Sequence, residues 1–160
     1  MVRLVPMNAA EFRESFEQTV SRRATDSVRR GSWTKEKATE AARAELAGFL
    51  PQGRETPSHH FVKVVDESNG KQVGEAWYSA REEGGRVRFW IDWLWTDPSQ
   101  RRRGYATAVL QKLSHEAAKL GADRIGLYVF TDNPHAVALY SKLGFSTSVM
   151  GLTKSVSGTQ

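Results

Sequence analysis

The chain has 160 residues, no cysteine, 39% hydrophobic and 26% charged residues, and a net charge of +5. That length and balance predict one ordinary globular domain over 1–160, and the missing cysteines exclude disulfides, thiolate metal sites and a cysteine acyl-enzyme. The charge is uneven: residues 101–160 carry 8 basic and 3 acidic groups, whereas 59–100 carry 5 and 7, so a polyanionic ligand is favoured toward the C-terminal part.

Residues 2–6 read as a short first strand. From Ala10 to Arg30 the apolar residues Phe12, Phe16 and Val20 recur at helical spacing, with Gly31 as the stop. A second helix is predicted over 35–50, with Thr34 as N-cap and Ala38, Ala42, Leu46 and Phe49 on one side. The Pro- and Gly-containing stretch 51–58 reads as a loop. The period then changes to that of strands. His60 to Asp66 and Lys71 to Ala80 form a hairpin around Ser68-Asn69-Gly70, and Val87 to Thr96 is a third, strongly aromatic strand. Asp97-Pro98 ends it. A third helix over 105–120 carries the stripe Ala106, Val109, Leu110, Leu113, Ala117 and Leu120, with Gly121 as its cap. Residues 124–130 read as a strand and Pro134 to Leu143 as a short helix ended by Gly144. One or two final strands are expected in 145–156. The unit over 87–130 is strand–helix–strand, so its two strands should be parallel.

The segment Asp97-Pro98-Ser99-Gln100-Arg101-Arg102-Arg103-Gly104-Tyr105-Ala106-Thr107 joins the aromatic strand to the third helix. Basic residues and a glycine meet where a helix begins. A helix N-terminus offers unpaired N–H groups and the positive end of the dipole, which suits a pyrophosphate. Gly104 lets backbone approach such a group. The segment lacks the paired glycines and Gly-Lys-Ser/Thr end of a nucleoside-triphosphate loop, and it does not fit the dinucleotide fingerprint.

Arg101-x-x-Gly104-x-Ala106, with Leu94-x-Thr96-x-Pro98 upstream, resembles the first signature of the GNAT family of N-acetyltransferases. Thr96 stands where valine is commoner. Asn133-x-x-Ala136-x-x-Leu139-Tyr140-x-Lys142-x-Gly144-Phe145 resembles the second, at the family's separation. The resemblance covers roughly residues 60–150, and the opening strand and two helices also fit. It implies an α/β (α+β) fold: a mixed, splayed central sheet flanked by about four helices, with acetyl-CoA in the split. It also implies that Arg101, Arg102, Arg103, Gly104, Tyr105, Ala106 and Thr107 hold the pyrophosphate. Backbone at Leu94, Trp95 and Thr96 would pair with the pantetheine arm, and Asn133 would contact it. The reaction implied is acetyl transfer to a primary amine of a small molecule or peptide, without a metal.

Three residues are candidates for proton transfer. Tyr140 lies on the apolar stripe of the last helix, where the family places its general acid. A phenol there can protonate a departing thiolate, and as a core aromatic it would simply pack. Asp92 stands among Phe89, Trp90, Ile91, Trp93 and Leu94, where a carboxylate is costly unless paired or functional. Burial would raise its pKa and suit it to take the proton of an incoming ammonium. Glu75 on the preceding strand is the alternative base. Plain alternation puts Trp90 and Asp92 on one face and Trp93 and Trp95 on the other, and a bulge would shift that register. One or two of Trp77, Tyr78 and Trp90 are candidates for the acceptor pocket, with the first two helices and the loop at 51–60.

Other readings lead elsewhere. A non-catalytic acyl-CoA-binding module would keep the loop but lose acid and base. A nucleic-acid-binding domain would spread phosphate contacts over one face, whereas the charge here clusters beside one loop. His59 and His60 are adjacent and His115 and His135 isolated, so no metal site is expected. No apolar run reaches the ~20 residues that span a bilayer, and Met1 to Pro6 lacks a secretory core, so no membrane partner and a cytoplasmic location are expected. A homodimer stays open.

Overall fold

The computed structural model describes residues 1–156. Its elements in chain order are β1 (Val2–Pro6), α1 (Ala9–Arg29), α2 (Ala38–Phe49), β2 (His59–Asp66), β3 (Gln72–Glu83), β4 (Arg86–Thr96), α3 (Tyr105–Lys119), β5 (Ala122–Leu127) and α4 (Pro134–Lys142). Short 3-10 turns lie at Gly53–Glu55 and Pro98–Gln100. The chain divides into two compact units, Met1–Tyr128 and residues 129 onward.

The first unit holds a five-stranded sheet in the order β1-β2-β3-β4-β5. The first four strands are antiparallel neighbours, and β5 runs parallel to β4 after the α3 crossover. The sheet is mixed, with four α-helices among the described residues, as the resemblance implied. Each face is covered because each strand alternates apolar side chains across it. Phe61, Trp77 and Trp93 pack against Val20 and Ala24 of α1 and Ala38, Ala42 and Leu46 of α2. On the other face Tyr78 stacks on Phe89 at 5.2 Å, and the α3 stripe of Val109, Leu110, Leu113 and Ala117 is buried.

Helix α1 starts at a capping box that periodicity did not reveal. Asn8 Oδ1 accepts from Glu11 N, and Glu11 Oε2 accepts from Asn8 N, both at 2.9 Å. Helix α2 begins later than expected. Lys37 and Ala38 donate to the Thr34 carbonyl, so Thr34 opens a turn and caps nothing with its side chain.

Two features of β4 position the site. Its parallel ladder with β5 runs from Val87↔Ala122 to Ile91↔Leu127, and β4 then continues to Thr96 paired, among the described residues, with β3 only. The ladder to β5 thus ends at Ile91, as expected of a sheet that splays between β4 and β5. Second, the β3–β4 register pairs Tyr78 with Ile91 but Trp77 with Trp93, leaving Asp92 as the extra residue of a bulge. The bulge corrects the plain alternation. Trp93 lies with Trp77 on the α1/α2 face, and Asp92 lies beside Ser79 on that same face.

In the second unit, α4 runs from Pro134 to Lys142 with Asn133 as N-cap. The final strands expected in 145–156 are not formed: among the described residues no strand follows β5. A strand needs a ladder partner as well as suitable residues. Val149, Met150 and Leu152 are instead exposed, and Gly151 and the serines at 146, 148 and 155 add nothing to pack.

Candidate active site

The loop after β4 is shaped by its own short-range bonds. Asp97 Oδ1 accepts from Ser99 N at 2.8 Å, and Arg101 Nε donates to the Thr96 carbonyl at 3.3 Å. Arg102 sits at φ 63° and Gly104 at φ 80°. The left-handed region costs an L-residue about 1–2 kcal/mol, so Arg102 is held there by the turn around it. Gly104 is the N-cap of α3, and it has no side chain to bond the first N–H groups. Those amides therefore lack a side-chain cap and follow directly on Arg102 and Arg103 in the chain. This donor set fits a pyrophosphate, and the edge at Leu94, Trp95 and Thr96 fits an amide-bearing arm laid alongside it.

The start of α3 is anchored from a distance. Tyr105 donates its hydroxyl to Asp66 Oδ2 at 2.6 Å, and Asp66 also accepts from Ser68 N and Oγ in the β2–β3 turn. The Tyr105 hydroxyl and the Ser68 donors hold the Asp66 carboxyl down at about 2. The sequence gives no hint of this strut, whose ends are 39 residues apart.

Asp92 is exposed to solvent, yet protein atoms crowd its carboxyl and a cation lies nearby. Desolvation raises its carboxyl above the usual carboxylate range, and the Ser79 hydroxyl and Arg81 guanidinium oppose that only in part. Ser79 is fully buried, and its Oγ makes no hydrogen bond of ordinary geometry, so its dipole is free to turn toward Asp92. His59, opposite Ser79 in the ladder, accepts from Trp77 Nε1 at 2.8 Å through Nδ1. Desolvation and the charges of Arg81 and His60 lower it to about 4, leaving it neutral at pH 7.

Glu75, the other candidate base, is placed differently. It is 4% exposed, and its Oε1 accepts from Arg22 Nη1 of α1 at 2.7 Å. The same guanidinium lies 3.9 Å from the centroid of Trp95. Arg22, which motif reading missed, thus holds both Glu75 and the open half of β4 against α1. No spacing rule could reveal a pair separated by 53 residues.

The second unit carries the other two candidates on one helix. Asn133 Oδ1 accepts from Ala136 N at 3.2 Å, the capping role its position before Pro134 predicts. Tyr140 meets Phe145 edge to face at 5.6 Å, and burial raises its phenol, which stays protonated at neutral pH.

A model of the acetyltransferase (GNAT) family matches residues 19–145, and the chain belongs to that family. It is 30% identical over 154 residues to the uncharacterized N-acetyltransferase YycN of Bacillus subtilis, covering 96% of this chain and 97% of that one. The crystal structure of YycN superposes with a TM-score of 0.91, covering 99% of this chain and all of that one. YdgE of the same organism, also an uncharacterized N-acetyltransferase, is 28% identical over 94% of this chain and 96% of its own length. The spermine/spermidine N(1)-acetyltransferase of Bacillus subtilis is 30% identical over 54% of this chain and 60% of its own length. The protein is thus an acetyltransferase of the family whose co-substrate is acetyl-CoA and whose general reaction acetylates an amine. Among the described residues no helix is long and apolar enough to cross a membrane.

Proposed function

We propose that the protein moves acetyl from acetyl-CoA directly to a primary amine, with Asp92 as base and Tyr140 as acid. The observation that carries this reading is the bulge in β4. It sets a carboxyl of raised pKa at the point where the strand loses its β5 partner. A base poised nearer neutrality than a free carboxylate suits removal of a proton from an incoming ammonium. The freed amine nitrogen then bonds to the acetyl carbonyl carbon, and the carbon–sulfur bond breaks. Backbone N–H groups on the open edge of β4 stabilise the charge that develops on the carbonyl oxygen. Tyr140, on the motif shared with the family, gives its proton to the leaving sulfur, and the second proton lost from the new amide nitrogen returns through solvent to the phenolate.

Glu75 serves in this reading as the counter-ion of Arg22, since its carboxylate is buried and already paired. Arg102, Arg103 and the amides of 104–107 hold the pyrophosphate, Arg101 braces the turn through Thr96, and Asn133 adds a polar contact to the cofactor arm. The relative that acts on spermine and spermidine supports a small-molecule amine as acceptor.

Calorimetric titration with acetyl-CoA tests the base of this reading. One site per chain is expected, and a folded protein that binds none overturns it. Tyr140→Phe should lower turnover about a hundredfold while leaving acetyl-CoA affinity in place. Unchanged turnover removes the acid assignment.

A further inference from the structure

Beside Asp92 stands an aromatic pair that the chemistry above does not use. Trp90 and Tyr128 stack with ring centroids 5.1 Å apart and planes 17° apart. Trp90 is in register with Gly126 of β5, and a Cβ built on Gly126 would come within 2.7 Å of the indole ring. Any other residue there would push the indole up, so the glycine is the floor on which it lies flat. Tyr128 is 88% exposed, so the outer side of its ring faces water.

The pair and the carboxylate share a face of the sheet. Trp90 is the ladder partner of Ser79, and the Ser79 hydroxyl acts on Asp92. His59, neutral at pH 7, flanks Ser79 on the other side. Arg81 follows two residues after Ser79, and its cross-strand partner is Arg88. The surroundings are therefore two stacked π faces, one carboxylate and two arginines.

Resting on the reading of the protein as an acetyl-CoA-dependent N-acetyltransferase, we infer that Trp90 and Tyr128 form the acceptor platform. The acceptor is a primary amine borne on an aromatic ring, the ring stacking on the pair and the ammonium meeting Asp92. A polyamine would also find a carboxylate and π faces here. An exposed cation–π contact is worth less than stacking that buries a whole ring, however, and the arginines repel a second ammonium. Trp90 and Tyr128 are thereby specificity-determining residues.

The test titrates tryptamine, hexylamine and spermidine into the CoA-saturated protein and measures kcat/KM for each with acetyl-CoA. Tryptamine should exceed both others by about tenfold or more in affinity and in kcat/KM. Tyr128→Ala, at an exposed position, should bring the three together with the KM for acetyl-CoA unchanged. Gly126→Ala, which keeps both rings but displaces the indole, should do the same. Hexylamine or spermidine equal to tryptamine, no binding of tryptamine, or a preference that survives both substitutions overturns the platform. Failure of acetyl-CoA itself to bind instead removes the underlying reading, and tryptamine binding to the free protein then still decides whether the platform exists.

Discussion

The two halves of β4 share a neighbour on one side and differ on the other. From Arg86 to Ile91 the strand is bonded to β3 and β5, and Phe89 and Ile91 are buried. From Asp92 to Thr96 its only ladder among the described residues is with β3, its carboxyl is perturbed and its backbone runs directly into the loop before α3. One extra residue separates the halves. The doubly paired half has its backbone groups satisfied and spends its side chains on packing. The singly paired half keeps one edge of N–H and C=O groups available to a ligand. It stays in place because α1 and α2 grip its side chains, Trp93 in their apolar cluster and Trp95 under Arg22.

This contrast can be broken by substitution. Phe89→Ala strikes the packed half at a side chain only 1% exposed and should cost about 3–5 kcal/mol of stability, read from denaturant unfolding. Its remaining folded fraction should bind acetyl-CoA normally. Asp92→Asn strikes the open half and should lower turnover about a hundredfold with little change in melting temperature. Because the Asp92 carboxyl is raised, wild-type kcat/KM should climb with pH through a limb above the usual carboxylate range, and the variant should lose that limb. A large loss of stability in Asp92→Asn would erase the distinction between the halves.

Gly74→Ala joins the two effects. A Cβ at Gly74 would collide with the carbonyl oxygen of Trp95, and rigid backbone cannot give way cheaply. A cost of about 1–3 kcal/mol is expected, together with weaker acetyl-CoA binding because the Trp95 carbonyl must move. Binding that is untouched would show that the edge at 94–96 does not serve the ligand. The smallest effect should come from Tyr105→Phe, which removes the bond to Asp66. The Asp66 carboxyl titrates at about 2 in the folded chain against an ordinary 3.8. A depressed folded value stabilises above the unfolded one and is lost as pH falls through the folded one. The difference in melting temperature between wild type and variant should therefore be full at pH 7 and vanish toward pH 2.

Most of the fold was legible because most elements carry a clear period. The α3 stripe, the β2–β3 hairpin and the aromatic strand lie close to where spacing puts them. Periodicity failed where geometry depended on a count or on a partner. The bulge at Asp92 adds one residue, and one residue inverts a period of two. The segment 145–156 has strand-forming residues but no ladder among the described ones. At the site, the loop and Asp92 stood out because their residue types are costly or unusual in place. Arg22, Ser79 and Tyr128 did not, since each matters through a neighbour distant in sequence. Gly126 left a trace, as a lone glycine inside an apolar strand points to a close approach. The Asn8–Glu11 spacing left another.

Helix α3 starts on Gly104, so its first turn lacks the side-chain cap that would ordinarily finish it. An anion bound at that turn, as the proposed function requires, would do the work of the missing residue, and occupancy would become part of what keeps the chain folded. At a ligand concentration one hundred times Kd the added stability is about 2.7 kcal/mol. The resistance of this protein to proteolysis should then rise and fall with the acetyl-CoA supply, which makes the lifetime of the enzyme a function of its own fuel.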